Sequence, residues 1–193
     1  LRLFNDAAYA MLTYSDNACT LTDVAVNFPD LSWAEAFSAS KAGNNTGWRV
    51  GAMVGSPDFI GDIKRVKGNS DSGFVAFAAA GVIDLYENHP GRISKICVSY
   101  CKRLDLVSEI LFKAGMRLAV KPEAGFFLLF DCPKQAFCED IPNADRFNEL
   151  MINQTGIVGV PFGSWIRYAI CATDVESIAD DIRLGFVRAH PTY

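Results

Sequence analysis

The sequence has 193 residues, of which 50% are hydrophobic and 21% are charged, and its formal net charge is −4. This balance is typical of a globular protein with a real hydrophobic core, in one domain or two small ones. The sequence has no basic block and no apolar run near the ~20 residues that span a bilayer, which argues against nucleic acid or a membrane as a partner.

The first half of the chain alternates short apolar runs with turn-forming residues. Apolar runs bounded by turns predict three strands, over residues 1–5, 32–37 and 48–55. Residues 10–30 are rich in loop-forming residues. Ser56-Pro57-Asp58 has the form of a helix start, with a capping side chain and proline at the first helical position. A further helix is predicted over residues 73–88.

The longest periodic pattern in the chain predicts a helix over about residues 91–115. Apolar residues recur there at three- and four-residue spacing, and Gly115 stands where a helix C-cap belongs. A helix of this length would extend ~35 Å at 1.5 Å per residue, enough to run from one domain into another.

After this helix the period changes between strand and helix. We predict strands over 116–120, 125–130, 156–160 and 165–172, and helices over 144–152 and 174–187, the last with Asp174 as its N-cap. The chain as a whole is therefore expected to be α/β. The expected domains are the remnant of a large α/β domain over 1–88 and a small α+β domain over 89–193, which includes the long connecting helix.

The six cysteines form no Cys-x-x-Cys pair, and the sequence has two histidines that could complete a metal site. We expect reduced thiols in a cytoplasmic protein and no bound metal.

Charged and hydroxyl side chains follow the first two predicted strands. Asp6 and Tyr9 come after the first strand, Ser38 and Lys41 come at the end of the second, and Arg49 follows a glycine turn. Because open α/β sheets bind ligands at the carboxyl ends of their strands, we expect these side chains to share a pocket. A lysine between hydroxyl groups and an arginine suits a phosphorylated aldehyde cofactor.

The order and spacing of four motifs resemble those of the fold-type I aminotransferases of class I and II, which depend on pyridoxal 5′-phosphate (PLP). The resemblance spans essentially the whole chain, and its motifs are Asp6-x-x-Tyr9, Ser38-x-Ser40-Lys41, Gly47-Trp48-Arg49 and Pro161-Phe162-Gly163 followed by Arg167.

This resemblance implies how a cofactor would be held. Lys41 would form the Schiff base with PLP and later carry the proton between the substrate Cα and the cofactor. Asp6 would pair with the pyridinium nitrogen, which favours the protonated ring that withdraws electrons. Tyr9 would hydrogen-bond the cofactor O3′, and Ser38 and Arg49 would hold the phosphate.

The resemblance also implies the substrates, an amino acid and a 2-oxo acid. Arg167 would bind the substrate α-carboxylate through its planar guanidinium. A homodimer is expected. Residues 67–73 resemble the corresponding stretch of aminotransferases of the diaminopimelate pathway, while aspartate, alanine and aromatic amino acids remain open as substrates.

Part of the family pattern has no counterpart in the chain. The upstream phosphate loop, the aromatic residue that stacks on the ring and the asparagine near O3′ cannot be placed before Leu1, which lies inside an apolar run. We therefore expect that the chain is a carboxy-terminal portion and that it does not turn over substrate alone.

Two alternatives share these motifs. A PLP-dependent lyase or decarboxylase of the same fold would use the same lysine and aspartate. A non-catalytic aminotransferase-like domain would keep the fold and lose the reaction.

Overall fold

The computed structural model describes residues 1–71, 73–172 and 174–193. The chain divides into two compact units, Leu1–Val98 and Ser99–Tyr193. The division falls inside a helix rather than at residue 88. The assignment of the units to a large-domain remnant and a small domain stays a prediction.

The first unit is built on a three-stranded sheet in the order β1-β2-β3. Strand β1 (Arg2–Asp6) runs parallel to β2 (Ser32–Ser38), and β3 (Gly51–Gly55) runs antiparallel to β2. The central strand is the buried one: Trp33, Ala34 and Glu35 are all buried. Since β1 and β2 are parallel, their carboxyl ends lie at the same edge of the sheet.

Helices connect and flank these strands. They are α1 (Leu21–Ala25), α2 (Ala39–Ala42), a 3₁₀ turn (Thr46–Trp48), α3 (Pro57–Ser70), α4 (Ala76–Asn88) and the start of α5 (Pro90–Lys113). Helix α1 begins with a capping box, in which Thr20 Oγ1 accepts from Asp23 N and Asp23 Oδ2 accepts from Thr20 N. Helix α3 has Pro57 in its first turn, as predicted.

The predicted long helix is confirmed as α5. It buries the predicted apolar stripe, including Ile93, Tyr100, Leu104 and Leu111. After α5, Gly115 adopts φ 96°, and Met116 N donates to Leu111 O at 2.9 Å. This left-handed turn satisfies a carbonyl at the helix end, and glycine adopts it without steric cost.

The second unit contains a four-stranded antiparallel sheet in the order β4-β5-β9-β8. Its elements are β4 (Leu118–Val120), β5 (Phe127–Asp131), a hairpin of β6 (Gln135–Ala136) and β7 (Glu139–Asp140), α6 (Ala144–Thr155), β8 (Val160–Phe162), β9 (Trp165–Ala169) and α7 (Ala179–Ala189). Its core includes fully buried side chains from the sheet and from α6 and α7: Leu128, Phe130, Ile166, Phe147, Met151 and Phe186.

Three predicted boundaries are wrong, and each has a local cause. The strand predicted from residue 48 begins at Gly51, because Arg49 adopts left-handed φ 54°. The strand predicted from residue 156 begins at Val160, because Gly156 ends α6 with φ 74°. Asp174 is not the N-cap of α7: at φ 59° it lacks the extended backbone of a capping residue, and the helix begins at Ala179.

The helix predicted over 73–88 begins at Ala76, and the loop-rich stretch 10–30 contains the short helix α1. None of the helices in the described parts of the chain is long and apolar enough to cross a membrane. All six cysteines are free. Among the described residues, no cluster of three or more His, Cys, Asp or Glu side chains is placed to hold a metal ion.

Candidate active site

The sheet edge of the first unit gathers most of the predicted site residues. Asp6 is the last residue of β1 and pairs in register with Ala36, and Ser38 ends β2 opposite Gly51. The backbone ladder continues past β1, since Ala7 N donates to Ala36 O at 2.8 Å. The carboxyl ends of both parallel strands therefore meet the start of β3 at one edge, where α/β sheets place ligands.

Lys41 was predicted to lie at the end of a strand, but it lies on the one-turn helix α2 that follows the strand. Ser38 caps this helix, and its Oγ accepts from Ser40 N at 3.2 Å. The Lys41 Nζ lies 5.7 Å from the centroid of the Tyr9 ring. The structure therefore brings together the predicted Schiff-base lysine and the predicted O3′ partner, within reach of a cation–π contact.

Arg49 follows the 3₁₀ turn in a left-handed conformation, with φ 54° and ψ 44°. Its Nη1 donates to Thr46 O at 3.1 Å, and Thr46 Oγ1 donates to Ser40 O at 3.1 Å. A non-glycine residue in this region costs about 1 kcal/mol or more, and such residues cluster at functional sites. These contacts tie the arginine turn to the helix that carries Lys41.

A cavity of about 670 Å³ lies beside this edge. Three side chains give it polar character: Ser38, Arg49 and Lys67. The rest of its wall is mostly apolar and includes Phe37, Val50, Phe74, Val82, Ile83 and Tyr86. A hydroxyl and two cations beside apolar walls suit a ligand that is anionic at one end and flat and apolar at the other.

Helix α4 packs closely against the turns that carry the site. A Cβ added to Gly81 would lie 2.6 Å from Trp48 Cζ3, and one added to Gly43 would lie 2.8 Å from Leu85 Cδ2. Since real Cβ contacts are not this short, both glycines permit the observed approach. Trp48 is 46% exposed, yet its ring lies against Gly81 of α4.

Of the predicted site residues, Ser38 and Arg49 line the cavity, whereas Lys41 and Tyr9 lie at the same sheet edge without lining it. Asp6 has an exposed side chain at the end of β1, next to Ala7, which lines the cavity. Arg167 belongs to the second unit, on β9, where its Cζ lies 4.3 Å from the Phe127 ring centroid. Its Nε is buried and has no hydrogen-bond partner within the described residues. An unpaired buried donor is rare, and an anionic ligand would satisfy it.

Sequence reasoning missed two residues of this region. Lys67 lines the cavity, and its Nζ forms an ion pair with Asp71 at 2.6 Å. Glu35 is 0% exposed and accepts four hydrogen bonds near the site. An acid inside the apolar strand 33–37 was the signal that could have identified it. The segment 67–73 includes Ser72, which lies outside the described residues.

A sequence model of the aminotransferases of class I and II matches residues 1–180. The chain belongs to this family. Family membership confirms the resemblance carried by the motifs and the expected cofactor class, because class I and II aminotransferases depend on PLP.

Curated relatives of this chain include proteins from Methanococcus maripaludis and Methanocaldococcus jannaschii. The LL-diaminopimelate aminotransferase of Methanococcus maripaludis is 34% identical over 178 residues, covering 89% of this chain and 41% of the relative. The enzyme of the same name from Methanocaldococcus jannaschii is 32% identical over 170 residues, covering 86% of this chain and 40% of the relative. The chain thus spans less than half the length of these relatives.

Solved structures confirm the fold. Aspartate aminotransferase from Thermotoga maritima matches with a TM-score of 0.76 at 22% identity, covering 94% of this chain and 46% of that one. An aminotransferase from Staphylococcus aureus matches with a TM-score of 0.79 at 22% identity, covering 97% and 49%. The predicted α/β fold, as part of a fold-type I aminotransferase, is confirmed.

The residues present fit PLP. A phosphate dianion would find a hydroxyl at Ser38 and a guanidinium at Arg49, and a flat ring would find the apolar wall. The Lys41–Tyr9 pair lies at the same sheet edge and supplies the amine and the phenol that the cofactor requires. The individual roles of these residues stay predictions.

Proposed function

We propose that the protein is a PLP-dependent aminotransferase, which moves an amino group between an amino acid and a 2-oxo acid. One observation carries the proposal. Ser38 and Arg49 line one cavity at the sheet edge, and the Lys41–Tyr9 pair lies at the same edge. The first 180 residues of the chain match the family. The activity is proposed for the whole protein, since the chain spans less than half of its relatives.

PLP, when bound, supplies an aldehyde carbon and a ring that withdraws electrons from the substrate Cα. Lys41 would hold the aldehyde carbon through its amine and then, as a free amine, remove the proton from the substrate Cα. Asp6 would keep a proton on the ring nitrogen, and Tyr9 would donate to O3′. Ser38 and Arg49 would anchor the phosphate, and Arg167 would orient the substrate carboxylate with two parallel hydrogen bonds.

The direct test is a transamination assay of the whole protein with 2-oxoglutarate and a panel of amino donors. We expect formation of glutamate, abolished by Lys41→Ala. Lys64→Ala is a matched control, because Lys64 is an exposed lysine on α3 in the same unit. Retention of glutamate formation by the Lys41 variant would contradict the proposal.

The alternative reactions of the same fold would give other products in this assay. A lyase would release ammonia and a 2-oxo acid without consuming 2-oxoglutarate, and a decarboxylase would release carbon dioxide. A non-catalytic domain would give none of these products. The Lys41–Tyr9 pair and the cavity do not separate these alternatives, whereas the relatives named above are all aminotransferases.

We propose LL-diaminopimelate as the amino donor, on the strength of the relatives that carry that name and of the resemblance in residues 67–73. In the donor panel, LL-diaminopimelate should then have the highest kcat/KM. A higher value for aspartate or an aromatic amino acid would overturn this assignment and leave the aminotransferase proposal intact.

The assembly and location are also proposals. We propose a homodimer, which sedimentation of the whole protein would test, with a monomer as the contradicting result.

We propose a cytoplasmic location, supported by the six free cysteines, since reducing compartments keep thiols unpaired.

A further inference from the structure

Glu35 is a buried carboxylate next to the candidate site. It lies on the central strand β2, is 0% exposed, and has no assigned role in the motifs. Its Oε1 accepts from Asn5 Nδ2 at 2.7 Å and from Leu21 N at 2.9 Å. Its Oε2 accepts from Thr22 N at 2.8 Å and from Thr22 Oγ1 at 2.6 Å. A buried charge with four donors is a built arrangement rather than a solvated side chain.

The four donors come from two places in the chain. Asn5 precedes Asp6 at the end of β1, while Leu21 and Thr22 form the first turn of α1. The segment between them, residues 7–20, is the site loop. The Glu35 carboxylate therefore accepts hydrogen bonds from the residues that flank both ends of the site loop.

The site loop carries the residues that face Lys41 and the cavity. Tyr9 lies under Lys41 Nζ, and Ala7, Ala8 and Met11 line the cavity. Inside the loop, three backbone turns and the fully buried Leu12 fix its shape. The loop is also held in its middle, where Cys97 Sγ donates to Thr13 O at 3.4 Å. The Glu35 carboxylate adds the contacts that hold its two ends.

We propose that Glu35 is a positioning residue that sets the place of Tyr9 relative to Lys41 by anchoring both ends of the site loop. The inference rests on the proposed PLP-dependent function. Burial raises the pKa of Glu35, but the hydrogen bonds from Thr22, Leu21 and Asn5 outweigh it, so the pKa is lowered overall. The anchor is therefore ionised at neutral pH.

The variant Glu35→Gln removes the charge and one acceptor oxygen but keeps the size of the side chain. One oxygen becomes an NH₂ group, which cannot accept from a backbone N–H. Either Leu21 N or Thr22 N then loses its acceptor, whichever way the amide is turned. The contact between Glu35 and the first turn of α1 is weakened, and with it the hold on one end of the site loop.

Hydrogen exchange on the whole protein without cofactor is the first readout. We expect amides of the site loop and of α1 to exchange about tenfold faster in Glu35→Gln, with β2 and β3 unchanged. The matched control is Asp58→Asn, which removes a carboxylate that accepts from Ser32 and Ser56 at the other end of β2. The control should leave site-loop exchange as in the unsubstituted protein.

The second readout is the pH titration of the visible absorption of bound PLP. Displacing Tyr9 should move its midpoint by about half a pH unit or more in Glu35→Gln and not in Asp58→Asn. If Glu35→Gln fails to fold, Asn5→Ala replaces it, because that variant leaves the three donors of α1 in place.

Unchanged site-loop exchange together with an unchanged midpoint would overturn the positioning role, as would faster exchange spread evenly over the first unit. If the unsubstituted protein shows no visible PLP absorption, the proposed function fails instead. The exchange result would still decide whether Glu35 anchors the loop.

Discussion

Arg49 shows how a single residue combines backbone strain with ligand chemistry. Its left-handed conformation would suit glycine better, yet the position holds an arginine that lines the cavity. Strain of this kind persists where the surrounding structure holds it in place, and the Arg49 Nη1 donates to Thr46 O at 3.1 Å. We propose that the phosphate-binding role of the guanidinium explains an arginine at this position. Lysine would keep the charge and lose the planar fork that matches a phosphate.

Arg49→Lys should therefore weaken PLP binding by about 10- to 100-fold, the effect of losing one charge-assisted bidentate contact. The dissociation constant from a fluorescence titration measures this. Arg65→Lys is the control, because Arg65 is 78% exposed on α3 in the same unit. Equal affinities for the Arg49 variant and the unsubstituted protein would remove Arg49 from the phosphate site.

Asp58 gives a prediction for stability against pH. Hydrogen bonds from Ser32 and Ser56 lower the pKa of Asp58 to about 2, with a smaller contribution from Arg2. Since the folded pKa lies below the unfolded value of ~3.9, the stabilisation is fully present above that value and is lost as the pH falls towards about 2. Denaturation of Asp58→Asn should depend less on pH between ~4 and ~2. An unchanged pH dependence would contradict this assignment.

At the scale of elements, the close approach of α4 to the Trp48 turn is a structural requirement of the site. Gly81→Ala would place a Cβ 2.6 Å from the Trp48 ring, so that ring and the adjoining Arg49 must shift. Gly61→Ala is the matched change inside α3, where nothing described lies within 4 Å of the new Cβ.

Gly61→Ala should stabilise the protein by about 0.5–1 kcal/mol, the usual gain from alanine in a helix. Gly81→Ala should show no such gain and should weaken PLP binding. Thermal unfolding and a PLP titration of both variants measure the difference. A similar gain in both, with unchanged PLP affinity, would show that Trp48 moves without consequence for the site.

The long helix could be predicted from the sequence, whereas the shortest helix could not. Helix α5 extends over 24 residues, enough for its apolar stripe to recur several times, and its end is marked by glycine. Helix α1 has five residues and no period to detect. The wrong boundaries lie at or next to residues with positive φ, which are Arg49, Gly156 and Asp174. Two of these residues are not glycine, so composition did not indicate the turn.

The site could be predicted in part from the sequence. Motif order indicated Lys41, Tyr9, Ser38 and Arg49, which the structure places around one sheet edge. The anchoring by Glu35 depends on hydrogen bonds from residues 13 and 30 positions away, which no local pattern encodes.

At the scale of the whole molecule, the candidate residues are divided between the two units. The proposed cofactor ligands belong to the first unit, and Arg167 belongs to the second, with its Nε buried and lacking a hydrogen-bond partner in the described chain. If the proposed roles hold, cofactor binding and substrate binding should respond separately to substitution.

Arg167→Lys should raise the KM for the amino donor by about 10- to 100-fold, because the bidentate contact to the carboxylate is lost. PLP absorbance and affinity should stay unchanged. Arg183→Lys, an exposed arginine on α7, is the control. A loss of PLP with an unchanged KM would reverse the proposed division of roles.

The central claim is that Lys41 is the residue that holds PLP. Borohydride reduction of the whole protein with PLP, followed by peptide mass spectrometry, fixes the cofactor to the amine that carries it. The account predicts a pyridoxyl group on the peptide containing Lys41 and none on the other lysines. Labelling of a different lysine, or of none, would contradict it.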